Sequence, residues 1–234
     1  MKTSFKFLNE WVRPWREYVA ECIGTFLLVF IASMLVYVER VYGNLGDLGI
    51  AIGLGFSYTA LIFVTSPISS GFLNPALAIS LWLVKKISGI RMVFYLIFQI
   101  LGGFGAAGVV NLLVGSSSAG FSMSVLTLGL GVSYEGAMVI EAILTTGLVF
   151  ALFATYVDRR GPVSFMPIVL GFYVTCASLI AIPLTGAILN PAKVIGPLLL
   201  SQANPSVAIY VIAPLFASLF GLVYEYIFMV HKKN

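Results

Sequence analysis

Leu-Asn-Pro-Ala stands at 73–76 and again at 189–192, in a chain that is apolar almost everywhere around both copies. Asn is a favoured helix cap. Pro is a favoured first helical residue, because its missing N–H is one that the first turn leaves unbonded anyway. Each copy therefore predicts a helix that starts at Pro75 or at Pro191. The apolar stretches that follow, 75–84 and 191–200, hold about ten residues each. At about 1.5 Å per residue they reach roughly 15 Å, half of a ~30 Å hydrocarbon core. Neither can cross a bilayer. Both are predicted to be half-helices dipping in from a re-entrant loop, a form tolerated only where protein or a water-filled cavity surrounds it.

The rest of the chain has to supply that surrounding. Of its 234 residues 60% are hydrophobic and only 9% charged, against about 25% charged in a soluble domain. Such a chain cannot cover a water-facing surface, so it is an integral membrane protein. Six long apolar segments, near 15–38, 48–66, 91–114, 135–157, 163–182 and 206–230, are each long enough to span. They form one membrane domain over 1–234. The net charge of +4 carries no Arg-rich patch with interleaved aromatics, which argues against nucleic acid as a partner. The amphipathic opening, 1–21, lacks a small-residue cleavage site and is not read as a signal peptide. Cys22 and Cys176 fall in apolar segments and are expected to pack as small hydrophobes. The single His, His231, lies in the tail, so neither a metal cluster nor a nucleophile–base pair is expected, and no cofactor is implied.

The two motifs belong to a longer repeat. "IGLGFSYT" (52–59) aligns with "IVLGFYVT" (168–175), pairing Gly55 with Gly171, and "PISSGFLNPA" (67–76) aligns with "PLTGAILNPA" (183–192). "AECIGTFLLVF" (20–30) matches "IEAILTTGLVF" (140–150), pairing Glu21 with Glu141 and Thr25 with Thr145, and "YLIFQ" (95–99) answers "YVIAP" (210–214). The predicted fold is therefore all-α: six transmembrane helices plus two half-helices, in repeats over about 15–114 and 135–230. Three spans per copy is an odd number, so the second copy enters the membrane inverted. Inverted repeats of this kind place binding or conduction at the midplane, where broken helices meet.

Orientation follows from the basic residues. With both termini cytoplasmic, the inner side holds Lys2, Lys6, Arg13, Arg16, Lys85, Lys86, Arg91, Arg159, Arg160, Lys232 and Lys233, and the outer side only Arg40 and Lys193. The uncharged Gly- and Ser-rich connection at 115–134 suits an outer loop.

If the starts of the two half-helices meet at the midplane, two positive dipole ends face each other there. Asn74 and Asn190 would cap their own helices through the side-chain oxygen and offer NH2 to a lumen. Water and small alcohols accept such bonds, whereas cations meet an electrostatic barrier. Glu21 and Glu141 lie inside apolar helices, where a carboxylate is costly and has a role. Thr25 and Thr145 follow them four residues on, on the same helix face. Gly55, Gly171 and "GGFGAAG" (102–108) predict tight helix crossings, and Gln99 predicts packing or helix bonding.

With these motifs in view, the chain resembles the aquaporin and glycerol-facilitator superfamily over essentially its whole length. The carriers are the paired motifs Asn74-Pro75-Ala76 and Asn190-Pro191-Ala192, the "AECIGTFLLVF" opening and "TGAILNPAKVIGP" (185–197). The resemblance implies six tilted helices with two half-helices. It also implies a homotetramer with one pore per subunit in the cell membrane, and Glu21 and Glu141 bracing the re-entrant loops. By ungapped alignment it puts Leu54, Ser178, Ala187 and Lys193 at the outer selectivity filter. Water-selective relatives commonly have Phe, His, Cys and Arg at these places. Lys193 stands where the family nearly always has Arg, a flexible point charge in place of a planar fork. It either lines the pore or extends to the outer headgroups. Without a bulky aromatic the filter is expected to be wide. Phe72 replaces the common His and Ala78 the usual Thr; Val194 is neither the Asp typical of glycerol facilitators nor the Ser of water channels, Tyr210 leans toward water channels, and Val211 fits neither group.

The expected function is a passive channel for water and small uncharged solutes such as glycerol, without enzymatic chemistry. Two other classes remain open at this stage. A secondary transporter would use Glu21 or Glu141 for coupling, and a non-conducting structural protein would be occluded at Phe72.

Overall fold

The computed structural model describes residues 14–114, 128–198 and 207–229. Among these the regular structure is helical: α1 (Trp15–Tyr42), α2 (Gly46–Ser69), α3 (Pro75–Leu83), α4 (Gly89–Val114), α5 (Tyr134–Leu152), α6 (Met166–Ala181), α7 (Ala192–Leu198), α8 (Val207–Ala217) and α9 (Phe220–Phe228). Six stretches are long and apolar enough to span, the last being α8 and α9 together. The short helices α3 and α7 are the two half-helices. The chain is thus an all-helical membrane fold of six spans and two re-entrant halves. Lys2, Lys6, Arg13, His231, Lys232, Lys233 and most of the 115–134 connection lie outside the described residues.

Local chemistry sets the turns. α1 stops at Gly43, whose left-handed φ of 62° lets its N–H reach the Glu39 carbonyl at 2.7 Å, a conformation that glycine adopts without a Cβ clash. The Glu39 carboxylate then accepts the Leu45 and Gly46 N–H groups, both at 2.8 Å. It puts a negative charge at the positive start of α2. Ser133 caps α5 by accepting the Gly136 N–H at 3.1 Å.

Three spans are less regular than apolar length alone predicts. α5 ends in a π turn, Phe153–Val157. A short 3₁₀ turn, Val163–Phe165, precedes α6. The last span breaks between Ala217 and Phe220. There the backbone tightens to bonds three residues back, with the Leu219 N–H on the Phe216 carbonyl and the Leu222 N–H on the Leu219 carbonyl, both at 3.1 Å, and the Ser218 hydroxyl occupies the Leu215 carbonyl at 2.6 Å.

The repeats pack alike: α1 lies against α4, and α5 against α8. Across the repeats, α2 crosses α6 and α4 lies on α7. At the α2–α6 crossing, a Cβ added to Gly55 would strike Thr175 Oγ1 and the Gly171 carbonyl, and one on Gly171 would strike Thr59 Oγ1 and the Gly55 carbonyl. The reciprocity is what a two-fold relation between the repeats requires. Gly102 meets the Cys22 carbonyl and Gly103 the Ala192 carbonyl in the same manner, so these small residues serve close helix approach.

The largest buried cluster surrounds α3 and includes Tyr58, Phe72, Leu77, Leu81, Tyr95, Leu148 and Phe153. Phe56, Leu112, Ile143, Phe172 and Tyr226 are exposed apolar side chains, suited to contact with lipid tails. Cys22 is half-buried and Cys176 exposed, and both are free. Cys176 is therefore not the buried thiol expected from its apolar segment, because a span facing lipid is apolar on its outer side too.

One end of the bundle gathers charge. Arg91 pairs with Glu17 at 3.3 Å. Arg160 binds Asp158 and also reaches the Phe228 carbonyl at 2.7 Å, tying the chain after α5 to the end of α9. Arg16, Lys85, Lys86 and Arg159 belong to this same basic mouth, at the start of α1, the α3–α4 turn and the α5–α6 turn.

Candidate functional site

Both half-helices begin from backbone that has to be held in place. Before α3 the chain turns back through Ser70, Gly71 and Leu73 with φ of 75°, 66° and 50°; before α7 it does so through Gly186, Ala187 and Leu189 at 90°, 56° and 54°. Left-handed backbone costs a residue with a side chain about 1–3 kcal/mol. The compensating bonds come from the two membrane-depth carboxylates.

Glu21 is fully buried on α1. One oxygen accepts the Ser69 hydroxyl at 2.8 Å and the Phe72 N–H at 3.1 Å. The other accepts the Leu73 N–H at 2.8 Å and Gln99 Nε2 at 2.6 Å. Glu141 repeats the pattern on α5, accepting the Thr185 hydroxyl at 2.6 Å and the Ile188 and Leu189 N–H groups at 3.2 and 2.9 Å. The repeats differ at one place. Pro214 stands where Gln99 would recur and has no donor to give. The Thr25 and Thr145 hydroxyls are buried near these sites without a hydrogen-bond partner.

Asn74 and Asn190 complete the junction. Each side-chain oxygen caps its own helix, accepting the Ala76 or Ala192 N–H at 3.0 Å. Each amide nitrogen donates to the other repeat's loop: Asn74 to the Leu189 carbonyl at 2.9 Å and Asn190 to the Leu73 carbonyl at 2.8 Å. The sequence suggests a lumen-facing NH2 on both. Instead one N–H of each amide binds the opposite loop, which leaves one for a passing solute. Pro75, Ala76, Pro191 and Ala192 are buried at the two helix starts.

A cavity of about 30 Å³ lies at this junction. One water needs ~10–15 Å³ on this measure, so about two fit in file. Its wall combines Leu28, Leu54, Tyr58, Leu148 and Val174 with Asn74, Asn190, Ala187, Ile188, Leu189 and Lys193. The Lys193 ammonium donates to the Ala187 carbonyl at 2.8 Å, turned toward the loop. Ser178 is buried on α6 with its hydroxyl unpartnered, and it is not part of this wall. Neither Glu21 nor Glu141 lines the cavity.

Tyr58, Leu28, Leu148 and Val174 escape a reading of the motifs alone, although the repeat carries a signal for them. Leu28 and Leu148 lie seven residues past Glu21 and Glu141, two turns along the same helix face. Tyr58 and Val174 lie three past Gly55 and Gly171. Ser69 and Thr185, the hydroxyl donors to the carboxylates, are equivalent in the same sense. Tyr58 brings an aromatic ring to the cavity, its hydroxyl donating to the Phe72 carbonyl at 2.9 Å. Phe72, Ala78, Val194 and Tyr210 are all buried.

Comparison with known proteins agrees with this geometry. The family model described as major intrinsic protein matches residues 8–224. A probable aquaporin of the TIP2-2 type from Oryza sativa subsp. japonica is 34% identical, over 92% of this chain and 88% of its own. Aquaporin AqpM of Methanothermobacter marburgensis is also 34% identical, over 91% of this chain and 97% of its own. The X-ray structure of the Plasmodium falciparum aquaglyceroporin superposes with a TM-score of 0.79 at 24% identity, covering 92% of this chain and 96% of that one.

Proposed function

The chain belongs to the major intrinsic protein family and is a multi-pass membrane channel, not an enzyme, that passes water and small uncharged solutes passively; on that premise we propose how its own residues perform the task. Solute moves in single file between Asn74 and Asn190, each offering the one N–H that the opposite loop leaves free. The observation that carries this reading is the crossed pair of Asn bonds beside a water-sized cavity. Two helix starts facing each other place positive potential at the midpoint, so cations are repelled where a neutral acceptor is bound.

Leu54, Ala187 and Lys193 set size and polarity at the mouth opposite the basic one, with Ser178 buried behind them. Lys193 supplies a single charge held by the Ala187 carbonyl, and none of these positions is aromatic, the Tyr58 ring in the same wall being tied by its hydroxyl to the Phe72 carbonyl, which favours passage of glycerol along with water. Glu21 and Glu141 act as braces. Their oxygens are taken by loop donors, which favours support over ion coupling. The basic mouth faces the cytoplasm of a cell membrane with both termini inside, and four copies assemble with one pore each.

Stopped-flow light scattering on proteoliposomes tests the substrate, with water and glycerol gradients run side by side. Fast flux of both is the expected result. Fast water with glycerol no quicker than through empty vesicles overturns the wide filter, and uptake that follows a proton or Na⁺ gradient overturns passive conduction.

A further inference from the structure

Repeat-equivalent residues meet in the cavity wall. Leu28 pairs with Leu148 and Asn74 with Asn190, like with like. The third pair does not match. Tyr58 on α2 stands where the inverted repeat puts Val174 on α6, and it is the one aromatic ring in the wall among the described residues. Its hydroxyl donates to the Phe72 carbonyl at 2.9 Å. That acceptor is fixed in turn, because the Phe72 N–H donates to Glu21 at 3.1 Å. Val174 has no hydroxyl to offer the equivalent carbonyl of Ile188, a residue that also lines the cavity. Tyr58 is 2% exposed, so its ring has no open space to turn into except the cavity itself. One hydrogen bond therefore sets how far a bulky ring stands out from the wall, beside the two Asn amides.

We propose that Tyr58 sets the solute size limit of this channel: its ring restricts the cross-section at the midplane, and its hydroxyl bond to the Phe72 carbonyl fixes the clearance. Leu54, Ala187 and Lys193, the other side of the same wall, carry no ring that could do this. A slender polyol passes with its hydroxyls toward Asn74 and Asn190 and its carbon side toward the ring. A polyol branched at carbon is too broad to do so. Loss of the hydroxyl frees the ring to lean into the cavity, whereas loss of the ring widens the passage. The size limit rests on the channel reading and adds to the wide outer mouth a narrower place at the midplane.

Stopped-flow light scattering on proteoliposomes tests it with water, glycerol and pentaerythritol, a polyol branched at its central carbon. Ratios of permeability are read, because they do not change with the amount of folded protein. The parent is expected to pass glycerol and to pass pentaerythritol no faster than empty vesicles do. Tyr58→Phe keeps the ring and removes the tether. Its glycerol-to-water ratio is expected to fall about threefold to tenfold, the population change that one lost hydrogen bond allows. Tyr58→Val is expected to pass pentaerythritol on the order of tenfold faster than the parent, the discrimination a pocket loses when it gains room for a methylene or more. Combining Tyr58→Val with Val174→Tyr moves the ring to the equivalent place in the other repeat, where the two-fold relation presents the Ile188 carbonyl. This exchange is expected to exclude pentaerythritol again. Pentaerythritol flux through the parent, or the same ratios in the parent, Tyr58→Phe and Tyr58→Val, overturns Tyr58 as the size limit and leaves the channel reading standing. No flux of water or glycerol above empty vesicles in any of these proteins overturns the channel reading, and the size limit with it.

Discussion

Asn74 and Asn190 each hold the loop of the other repeat, through amide bonds to the Leu189 and Leu73 carbonyls at 2.9 and 2.8 Å. The residues that accept these bonds, Leu73 and Leu189, are themselves in left-handed backbone. Each half-helix start is thus positioned by its counterpart, and the two repeats are one unit at the midplane.

Removing either amide therefore disturbs both repeats. Asn74→Ala or Asn190→Ala loses a cap worth about 1 kcal/mol and leaves a buried carbonyl unpaired at a further ~1–3 kcal/mol. Because both changes act on one junction, the double variant is expected to fall short of the sum of the singles by about 0.5 kcal/mol or more. Thermal unfolding in detergent reads this, and strict additivity contradicts the interlock.

The braces are unequal. Glu21 accepts four bonds and Glu141 three, and each orphaned buried donor costs about 1–3 kcal/mol. Glu21→Ala is expected to lower the unfolding temperature more than Glu141→Ala. Neither substitution should make solute uptake respond to a proton gradient.

Lys193→Ala removes the one cation in the cavity wall among the described residues. Cation leak through proteoliposomes is expected to rise about tenfold, which corresponds to ~1.4 kcal/mol of lost barrier. The glycerol-to-water permeability ratio should shift in the same experiment. A variant indistinguishable from the parent places Lys193 outside the selective step.

At the α2–α6 crossing a Cβ has no room. Gly55→Ala would press on Thr175 and on the Gly171 backbone, and overpacking of this kind costs about 1–3 kcal/mol. Trimming Thr175 to Ser is expected to restore little, since the Gly171 carbonyl remains in the way. Folded yield after size-exclusion chromatography measures it.

Outside the membrane, the Arg160 guanidinium beside Asp158 holds its carboxyl down at about 2, against an ordinary value of 3.8. A depressed folded-state value stabilises above the unfolded one, and that contribution disappears as pH falls through about 2. The difference in unfolding temperature between parent and Asp158→Asn is expected to be constant from pH 5 to 7, to shrink below about pH 4, and to vanish only below about pH 2. A difference that vanishes already at pH 5 contradicts the pairing.

Much of the architecture is legible without coordinates because lipid leaves the backbone few options. Every N–H and C=O in the hydrocarbon layer must be bonded internally, so an apolar run of sufficient length becomes a helix and one of half that length becomes a half-helix. Asn74-Pro75 and Asn190-Pro191 mark where those halves begin, and Glu21 and Glu141 stand out as charges where charge is expensive. Less legible is which way a side chain points. A span that is apolar all round carries little periodic signal for its inner face, which is why Cys176 reads as buried from its segment and is exposed. For the same reason Tyr58, Leu28, Leu148 and Val174 are recognised as cavity wall only once the helices are packed.

The sequence by itself determined the membrane class, the six spans, the inverted repeat and the two Asn caps, since each follows from local length, spacing or helix-start chemistry. Only the tertiary structure decided that each Asn spends an N–H on the opposite loop, that Gln99 completes one brace while Pro214 leaves the other short, and that a π turn sets Tyr156 against Ser70. These are contacts between residues 78 to 117 positions apart, fixed by how packed helices meet and not by the order of residues along any one of them.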